Sequence, residues 1–81
     1  MDENIISLVE TLSQIEQDDS VPKNVRTRLQ NAMAALQENT KDNKINANKA
    51  LQELDEVSDD ANVPSYIRTQ IWNVCSMLEG I

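Results

Sequence analysis

The sequence contains two related segments, VPKNVRTRLQN from Val21 and VPSYIRTQIWN from Val63. The second begins 42 residues after the first, and residues 4–37 align with residues 46–79 at this offset without a gap. The identical pairs are Asn4/Asn46, Leu12/Leu54, Asp18/Asp60, Val21/Val63, Pro22/Pro64, Arg26/Arg68, Thr27/Thr69, Asn31/Asn73 and Leu36/Leu78. A period of this length is typical of repeats built from a pair of helices. We therefore predict one helical hairpin present in two copies.

Each copy carries apolar stripes with helical spacing. In the first copy the stripe residues recur three or four positions apart: Ile5, Leu8, Leu12 and Ile15, then Val25, Leu29, Ala32 and Leu36. Pro22 and Pro64 open the second helix of each copy, where the missing N–H has no intrahelical partner to lose. Acidic turns at 18–20 and 59–62 precede these helices and suit their dipoles. The predicted helices are near residues 3–17, 22–38, 43–59 and 64–79.

Short connections, including a polar loop at 38–43, favour an antiparallel arrangement of the four helices. With 81 residues, few chain breakers and many helix formers, the chain is predicted to be all-α and a single domain, 1–81. The expected fold is a four-helix up-down-up-down bundle made of two duplicated helical hairpins. A stacked solenoid is the alternative, although it usually needs three or more repeats. Because Ala47 and Ala50 replace Ile5 and Leu8, we expect the third helix to approach its neighbours more closely.

The run VPSYIRTQIWNVCSMLEG, together with the earlier VPKNVR, resembles the archaeal uncharacterised protein family 0147. The resemblance covers nearly the whole chain. It implies a short four-helix protein of the archaeal cytoplasm and brings no catalytic or binding residues with it. The pattern VP…VR at the start of the second helix of a pair is also similar to HEAT repeats.

The charge of the chain limits its partners. Fourteen acidic and seven basic side chains give a formal charge of −7, which opposes nucleic acid and anionic lipid. No apolar run approaches the roughly 20 residues of a membrane span, and we expect no signal peptide, because MDENIIS lacks a basic segment followed by an apolar stretch. We predict a cytoplasmic protein that does not bind membranes.

Groups that carry catalysis are scarce. The chain has no histidine, and its only cysteine, Cys75, is interpreted as a small core residue. The paired carboxylates Asp18/Asp19 and Asp59/Asp60 leave a metal-dependent hydrolytic enzyme open, but they are more typical of solvated helix caps. We therefore predict a protein that is not an enzyme and that holds no cofactor and no metal.

Two basic clusters support a different hypothesis. Lys23, Arg26 and Arg28 lie at the start of the second helix, and Lys41, Lys44 and Lys49 surround the start of the third. Such clusters could contact phosphates in an accessory factor of a ribonucleoprotein or nucleic-acid machine. They are interspersed with acidic residues and lack interleaved aromatic side chains, so local ion pairs are the favoured interpretation.

The second copy differs from the first most clearly in its last helix, where Tyr66, Trp72 and Met77 replace Asn24, Gln30 and Ala35. At about 100° per residue, Trp72 falls outside the apolar stripe of that helix, and Ile6 and Ile45 fall outside the stripes of theirs.

Arg68, one turn before Trp72, could stack on the indole. Tryptophan, tyrosine and arginine are enriched at interface hot spots. We predict a protein-binding face at Tyr66, Arg68 and Trp72, used by a homodimer or by an unknown protein partner. The alternative is that Trp72 packs within the monomer, under a terminus or along a helix seam.

Overall fold

A computed structural model describes residues 3–38 and 42–80. Within these ranges the chain forms four α-helices and no strand: α1 (Glu3–Glu16), α2 (Lys23–Gln37), α3 (Asn43–Ser58) and α4 (Ser65–Glu79). The prediction of an all-α fold of four helices is confirmed, with boundaries within two residues of those expected. The middle of the predicted loop at 38–43 lies outside the described residues.

The helix starts are defined by backbone geometry and by one side-chain cap. Pro22 and Pro64 are N-cap residues in extended conformation, with φ near −60° and −58°. Their carbonyls accept the N–H groups of Arg26 at 2.9 Å and Arg68 at 3.0 Å, which begins each helix with a regular hydrogen bond. Asp42 caps α3, because its carboxylate accepts the N–H of Lys44 at 2.8 Å.

One continuous core is formed from the inward stripes of the four helices. Its buried members are Ile5, Leu8, Leu12, Ile15, Val21, Val25, Leu29, Ala32, Leu36, Ala47, Ala50, Leu54, Val57, Val63, Ile67, Ile71, Val74 and Leu78. Each predicted stripe therefore faces the core. Asn46 is also buried, and its side-chain amide donates to the carbonyl of Glu38 at 3.1 Å. This bond ties the beginning of α3 to the end of α2 and satisfies a carbonyl at the helix terminus.

The helices follow one another around a ring. Each packs against the neighbours that precede and follow it, and α4 returns to α1, whereas in the described residues the backbones of the diagonal pairs α1/α3 and α2/α4 do not come close together. A stacked solenoid would bring those diagonal pairs together. The arrangement is therefore the antiparallel bundle.

Packing around the ring is uneven. The contact between α2 and α3 is the most extensive, and the contact between α1 and α4 is the least. The expected close approach of α3 holds for its α2 side, but α3 packs on α4 no more extensively than α1 packs on α2. Small residues explain the closeness, because inward-facing alanines let helix axes approach. On these two helices they are Ala32, Ala47 and Ala50, which are buried, and Ala35, which is half-buried.

Candidate functional site

The described residues contain no group of three or more His, Cys, Asp or Glu side chains that could hold a metal ion. Cys75 is half-buried against the core. Burial, followed by the negative charges of Asp55 and Glu79, raises the pKa of its thiol to about 11. At neutral pH the sulfur is protonated and is a poor nucleophile.

The acidic turn residues stabilise the turns themselves. Asp18 accepts hydrogen bonds from the Ser20 hydroxyl at 2.6 Å, the Ser20 N–H at 2.9 Å and the Tyr66 hydroxyl at 2.9 Å. These bonds hold the pKa of the Asp18 carboxyl below its ordinary value. In the other turn, Asp60 accepts the N–H of Asn62 at 2.8 Å and the side-chain amide of Asn24 at 3.2 Å. Both carboxylates therefore cap local N–H groups and bind the opposite hairpin.

The two hydrogen bonds that join the hairpins, Tyr66 to Asp18 and Asn24 to Asp60, occupy equivalent positions at the offset of 42 residues. Tyr66 lies 42 positions after Asn24, and Asp60 lies 42 positions after Asp18. Thus Tyr66 of the second hairpin donates to Asp18 of the first, and Asn24 of the first hairpin donates to Asp60 of the second. Each turn holds the second residue of the other hairpin's second helix, which fixes the two hairpins against each other at this end.

Arg26 and Arg68 occupy equivalent positions, and the guanidinium of each binds the turn that precedes its helix. Arg26 Nη2 donates to the carbonyls of Asp18 at 3.3 Å and Val21 at 3.4 Å. Arg68 Nη2 donates to the carbonyls of Asp60 at 3.1 Å and Val63 at 3.3 Å. The guanidinium groups thus bind main-chain oxygens rather than the carboxylates of Asp18 and Asp60. Their contribution is to hold the turns.

The arginines differ at Nε. Arg26 Nε donates to the carbonyl of Glu16 at 2.9 Å, whereas Arg68 Nε is buried and has no hydrogen-bond partner. The Arg68 guanidinium is directed toward the turn before α4, and Trp72 lies one turn further along α4. The stacking of Arg68 on Trp72 that the sequence suggested is therefore not formed.

The predicted protein-binding residues do not form one patch. Trp72 is 55 % exposed and Tyr66 is 53 % exposed. They are six residues apart, which places them about 120° apart around α4. Tyr66 lies on the side that contacts Asp18 next to α1, and Trp72 lies on the same side as Cys75, toward α3. Trp72 is thus the exposed aromatic residue available on the outer face.

Several basic side chains have acidic or main-chain partners within the chain. Arg28 pairs with Glu53 at 3.1 Å and also with Glu56, and Lys49 pairs with Glu38 at 3.2 Å. We use the name α2–α3 seam for the contact of these two helices that Arg28, Glu53 and Glu56 bridge. Because the single positive charge of Arg28 is matched by two carboxylates, the predicted basic cluster presents less positive charge than its sequence suggested.

An open depression lies at the equivalent place between α1 and α4. Its volume is about 310 Å³, and we call it the α1–α4 groove. Its lining residues are Thr11, Gln14, Ile15, Asp18, Gln70, Asn73, Val74 and Met77. Sequence reasoning missed this groove, although a signal was present at the offset of 42: Gln70 replaces Arg28, and Thr11 and Gln14 stand where the second copy has Glu53 and Glu56. The substitutions remove the ion pairs that bridge the seam.

Fold and site together define a small four-helix bundle with a polar turn network at one end, an exposed indole and an open groove between α1 and α4. In the described residues, none of the helices has the length and apolar character needed to cross a membrane. The chain belongs to the uncharacterised protein family UPF0147, whose model matches residues 1–81. The family relationship that the sequence suggested is therefore confirmed.

A solved structure shares the fold. The crystal structure of MMP1188, a protein of unknown function, superposes with a TM-score of 0.92 at 35 % sequence identity. The match covers 98 % of this chain and 90 % of that one. No match was found among curated proteins. The comparisons establish family and fold, and neither carries an assigned activity.

Proposed function

We propose that this protein is a non-catalytic interaction module that forms a homodimer through the outer face of α4, with Trp72 at its centre. The observation that carries the proposal is the exposure of this indole. Trp72 is 55 % exposed and lies outside the apolar stripe of α4, which is buried. Tryptophan is the residue type most typical of interface hot spots. Arg68 is adjacent and holds the turn beside the proposed interface, while Tyr66 lies on the other side of α4.

Charge favours α4 as the self-association face. The chain has a net charge of −7, but α4 contains one acidic residue, Glu79, and one basic residue, Arg68. Two acidic copies that approach through their neutral helices avoid the repulsion between their other surfaces. A two-fold arrangement would place the same patch of both copies in contact, and this is the commonest geometry of homo-oligomers.

Two further parts of the proposal concern origin and location. We infer that the chain arose from two copies of one hairpin, which is supported by the turn hydrogen bonds that recur 42 residues apart. We also infer that the protein belongs to the archaeal cytoplasm, an inference that the family resemblance supports. The alternative of an accessory factor for nucleic acid is less well supported, because Arg26 and Arg28 bind turn carbonyls and carboxylates within the chain.

Sedimentation velocity and light scattering across a concentration series test the dimer. We expect self-association of the native chain and a shift toward monomer in Trp72→Ala. Ile6→Ala is a matched control, because Ile6 is also exposed, at 42 %, and lies on α1 rather than on α4. Since Trp72 is the only tryptophan, its fluorescence should shift to shorter wavelength as the dimer forms.

A chain that stays monomeric over the whole series, with no difference between Trp72→Ala and the native protein, would refute the dimer. Equal loss of association in Trp72→Ala and Ile6→Ala would also refute it, because the effect would then be independent of the α4 face. A gel-shift titration with RNA addresses the alternative: salt-sensitive binding that is lost in Lys23→Glu would favour the nucleic-acid hypothesis.

A further inference from the structure

The outer face of α4 carries a second line of residues, on the side away from the apolar stripe that faces the core. Its members recur four and three positions apart and are all exposed: Ser65, Thr69, Trp72, Ser76 and Glu79. This spacing keeps them in line along the helix, and it is the spacing by which one helix packs along another. We call this set the α4 stripe. It extends from the first residue of α4 to the last, so it offers a partner helix contacts along the whole length.

The equivalent face of α2 shows what distinguishes the α4 stripe. At the offset of 42 its residues are Lys23, Thr27, Gln30, Ala34 and Gln37. A threonine is common to the two faces, but the α2 face begins with a lysine and has no aromatic residue. Gln30 also donates a hydrogen bond to Glu16 within the chain. The α4 stripe has Trp72 at the position of Gln30, and because this indole is more than half exposed, packing of the core does not account for it.

Trp72 lies at the midpoint of its helix. Of the 15 residues of α4, residues 65–71 precede Trp72 and residues 73–79 follow it. A two-fold axis through an antiparallel pair of identical helices brings together residues at equal distances on opposite sides of the centre. In such a pair only the central residue meets its own counterpart, and two indole rings that meet there can pack in an offset or edge-to-face arrangement. The large aromatic residue of α4 therefore stands where a symmetric helix pair has its centre.

Small side chains flank the indole along the α4 stripe. Thr69 precedes Trp72 by three residues, and Ser76 follows it by four. In an antiparallel pair centred on Trp72, Thr69 of one copy faces Ser76 of the other to within about 1.5 Å along the axis, which is the rise of one residue. Facing small residues let two helix axes approach. The Thr69 hydroxyl already donates to the carbonyl of Ser65 at 3.1 Å, so its hydrogen bond is kept when a partner covers this face.

The charges at the two ends of α4 favour one direction of pairing. An acidic turn with Asp59 and Asp60 precedes the N-terminus of α4, and Glu79 is its last residue. In a parallel pair, both Glu79 side chains would lie together at one end and both acidic turns at the other, and the like ends of the two helix dipoles would also coincide. In an antiparallel pair the two acidic turns are a helix length apart, and each Glu79 lies beside the positive end of the partner's helix dipole. Charge therefore favours the antiparallel direction.

We propose that two copies of the chain pair through the α4 stripe with their α4 helices antiparallel, so that the two Trp72 indoles meet at the two-fold axis and Thr69 of each copy faces Ser76 of the other. This inference rests on the proposed dimer and specifies its geometry, which the exposure of Trp72 alone does not fix. Each copy uses the same surface in such a contact, so the pair is closed and the assembly ends at two copies.

Disulfide formation between introduced cysteines tests this geometry, because it requires Cα atoms within about 7 Å of each other. Thr69→Cys and Ser76→Cys are made separately in a Cys75→Ser chain, which has no other thiol and should sediment as the native chain does. In the antiparallel pair, position 69 faces position 76, whereas like positions are about 9 Å apart along the axis for 69 and about 12 Å for 76. In a parallel pair, like positions face each other instead.

The two variants are mixed and oxidised mildly, and intact dimers are weighed by mass spectrometry. We expect the mixed dimer to exceed each homodimer at least about tenfold, whereas random collision gives an excess of only about twofold. The twin face supplies a matched control: Thr27→Cys and Ala34→Cys occupy the equivalent exposed positions of α2. The α2 pair should cross-link only at the level of random collision.

Several results would overturn the antiparallel pairing. Homodimers in excess over the mixed dimer would show a parallel pair, and equal yields from the α4 and α2 variants would show that the cross-links are collisional. A chain that dimerises by sedimentation and loses this association in Trp72→Ala, but does not join position 69 to position 76, keeps the dimer and refutes its proposed geometry. A chain that is monomeric by sedimentation refutes the dimer and the geometry together, so the two failures are distinguishable.

Discussion

The α2–α3 seam and the α1–α4 groove occupy equivalent positions in the two halves of the bundle, yet the helices pack extensively at one and lightly at the other. The seam is the most extensive helix contact, and the groove separates the pair with the least contact. At the offset of 42, the inward residues Ala32, Ala35, Ala47 and Ala50 correspond to Val74, Met77, Ile5 and Leu8. Side-chain size alone therefore favours a closer approach at the seam.

Charge acts in the same direction as size. Arg28 bridges Glu53 and Glu56 across the seam, and the corresponding groove residues Gln70, Thr11 and Gln14 are uncharged. One backbone design thus gives an extensive helix contact that is bridged by ion pairs and a slight helix contact that is not. The difference teaches that a few side chains decide whether an interhelical position serves stability or remains available for a partner.

The largest expected effect comes from a pair of leucines that is identical in the two copies. Leu12 and Leu54 are both 0 % exposed. Each change to alanine should cost about 2–5 kcal/mol in the free energy of unfolding. We expect Leu54→Ala to cost more than Leu12→Ala, because α3 is held closely by α2 and cannot move into the cavity, whereas α1 has a loosely packed neighbour in α4. Urea denaturation of both variants measures the difference.

The reverse order, with Leu12→Ala the more destabilising, would contradict the idea that the closely packed half responds less flexibly to a cavity. The open groove would then be a surface feature without consequence for the rigidity of the core. Unfolding followed by circular dichroism and by Trp72 fluorescence should give the same midpoint, which is the check that each variant unfolds in one step.

A smaller effect is expected when the seam is made to resemble the groove. Ala50→Leu introduces at the seam the residue that stands at the equivalent position of α1, Leu8. Because Ala50 is fully buried, the added volume should destabilise the fold by about 1–3 kcal/mol through overpacking. Ala34→Leu, at an exposed position of α2, is the control and should change stability by less than about 0.5 kcal/mol. Equal effects of the two changes would contradict the idea that small residues set the closeness of the seam.

The helices and the core could be predicted from the sequence because their signals are local. The spacing of Ile67, Ile71 and Val74 identifies an inward face whatever the helix packs against, and all three are buried. Trp72 was expected outside the core for the same reason, and it is exposed. Chain connectivity with short turns then restricts four such helices to few arrangements.

The groove and the role of Arg68 could not be predicted in this way, because both depend on contacts between distant parts of the chain. Arg68 was predicted to stack on Trp72 from its spacing, but the carbonyls of the turn compete for the guanidinium and bind it. The groove depends on which helix flanks face each other. Only the paired replacement of Arg28 by Gln70, and of Glu53 and Glu56 by Thr11 and Gln14, indicated it in the sequence.

A still smaller loss of stability is expected when the ion pairs of the seam are removed. Arg28→Gln gives the seam the residue that the groove has at this position, and it should destabilise the chain by about 0.2–1 kcal/mol because the three side chains are partly exposed. The loss should shrink as the salt concentration rises. Denaturation at low and high salt measures both effects.

The reciprocal change sharpens the comparison. Gln70→Arg combined with Gln14→Glu installs an Arg–Glu pair across the groove, and it should stabilise the chain by about 0.2–1 kcal/mol at low salt. Gln70→Arg alone lacks a new carboxylate partner and should stabilise the chain less than the double variant does. If the double variant is no more stable than the single variant, the two helices are too far apart for the pair to form, and size rather than charge keeps the groove open.

The smallest expected effect concerns the turn network that both regions share. The pKa of Asp18 lies below its ordinary value of 3.8, because the carboxylate accepts hydrogen bonds from the Ser20 hydroxyl, the Ser20 N–H and the Tyr66 hydroxyl. A pKa that is lower in the folded chain than in the unfolded chain means that the folded chain binds fewer protons. The stabilisation is therefore complete above pH 3.8 and is lost as the pH falls through the folded-state pKa.

Tyr66→Phe removes one of these donors and should raise the pKa of Asp18 toward 3.8, while the two Ser20 hydrogen bonds keep it below that value. An NMR titration of the Asp18 carboxyl carbon measures the shift directly. Asn24→Ala breaks the equivalent contact to Asp60 in the other turn and should leave the pKa of Asp18 unchanged. A pKa that does not respond to Tyr66→Phe would mean that the phenol does not bind the carboxylate in solution. One of the two contacts that hold the hairpins together at this end would then be absent, and the groove beside it would be wider than the structure shows.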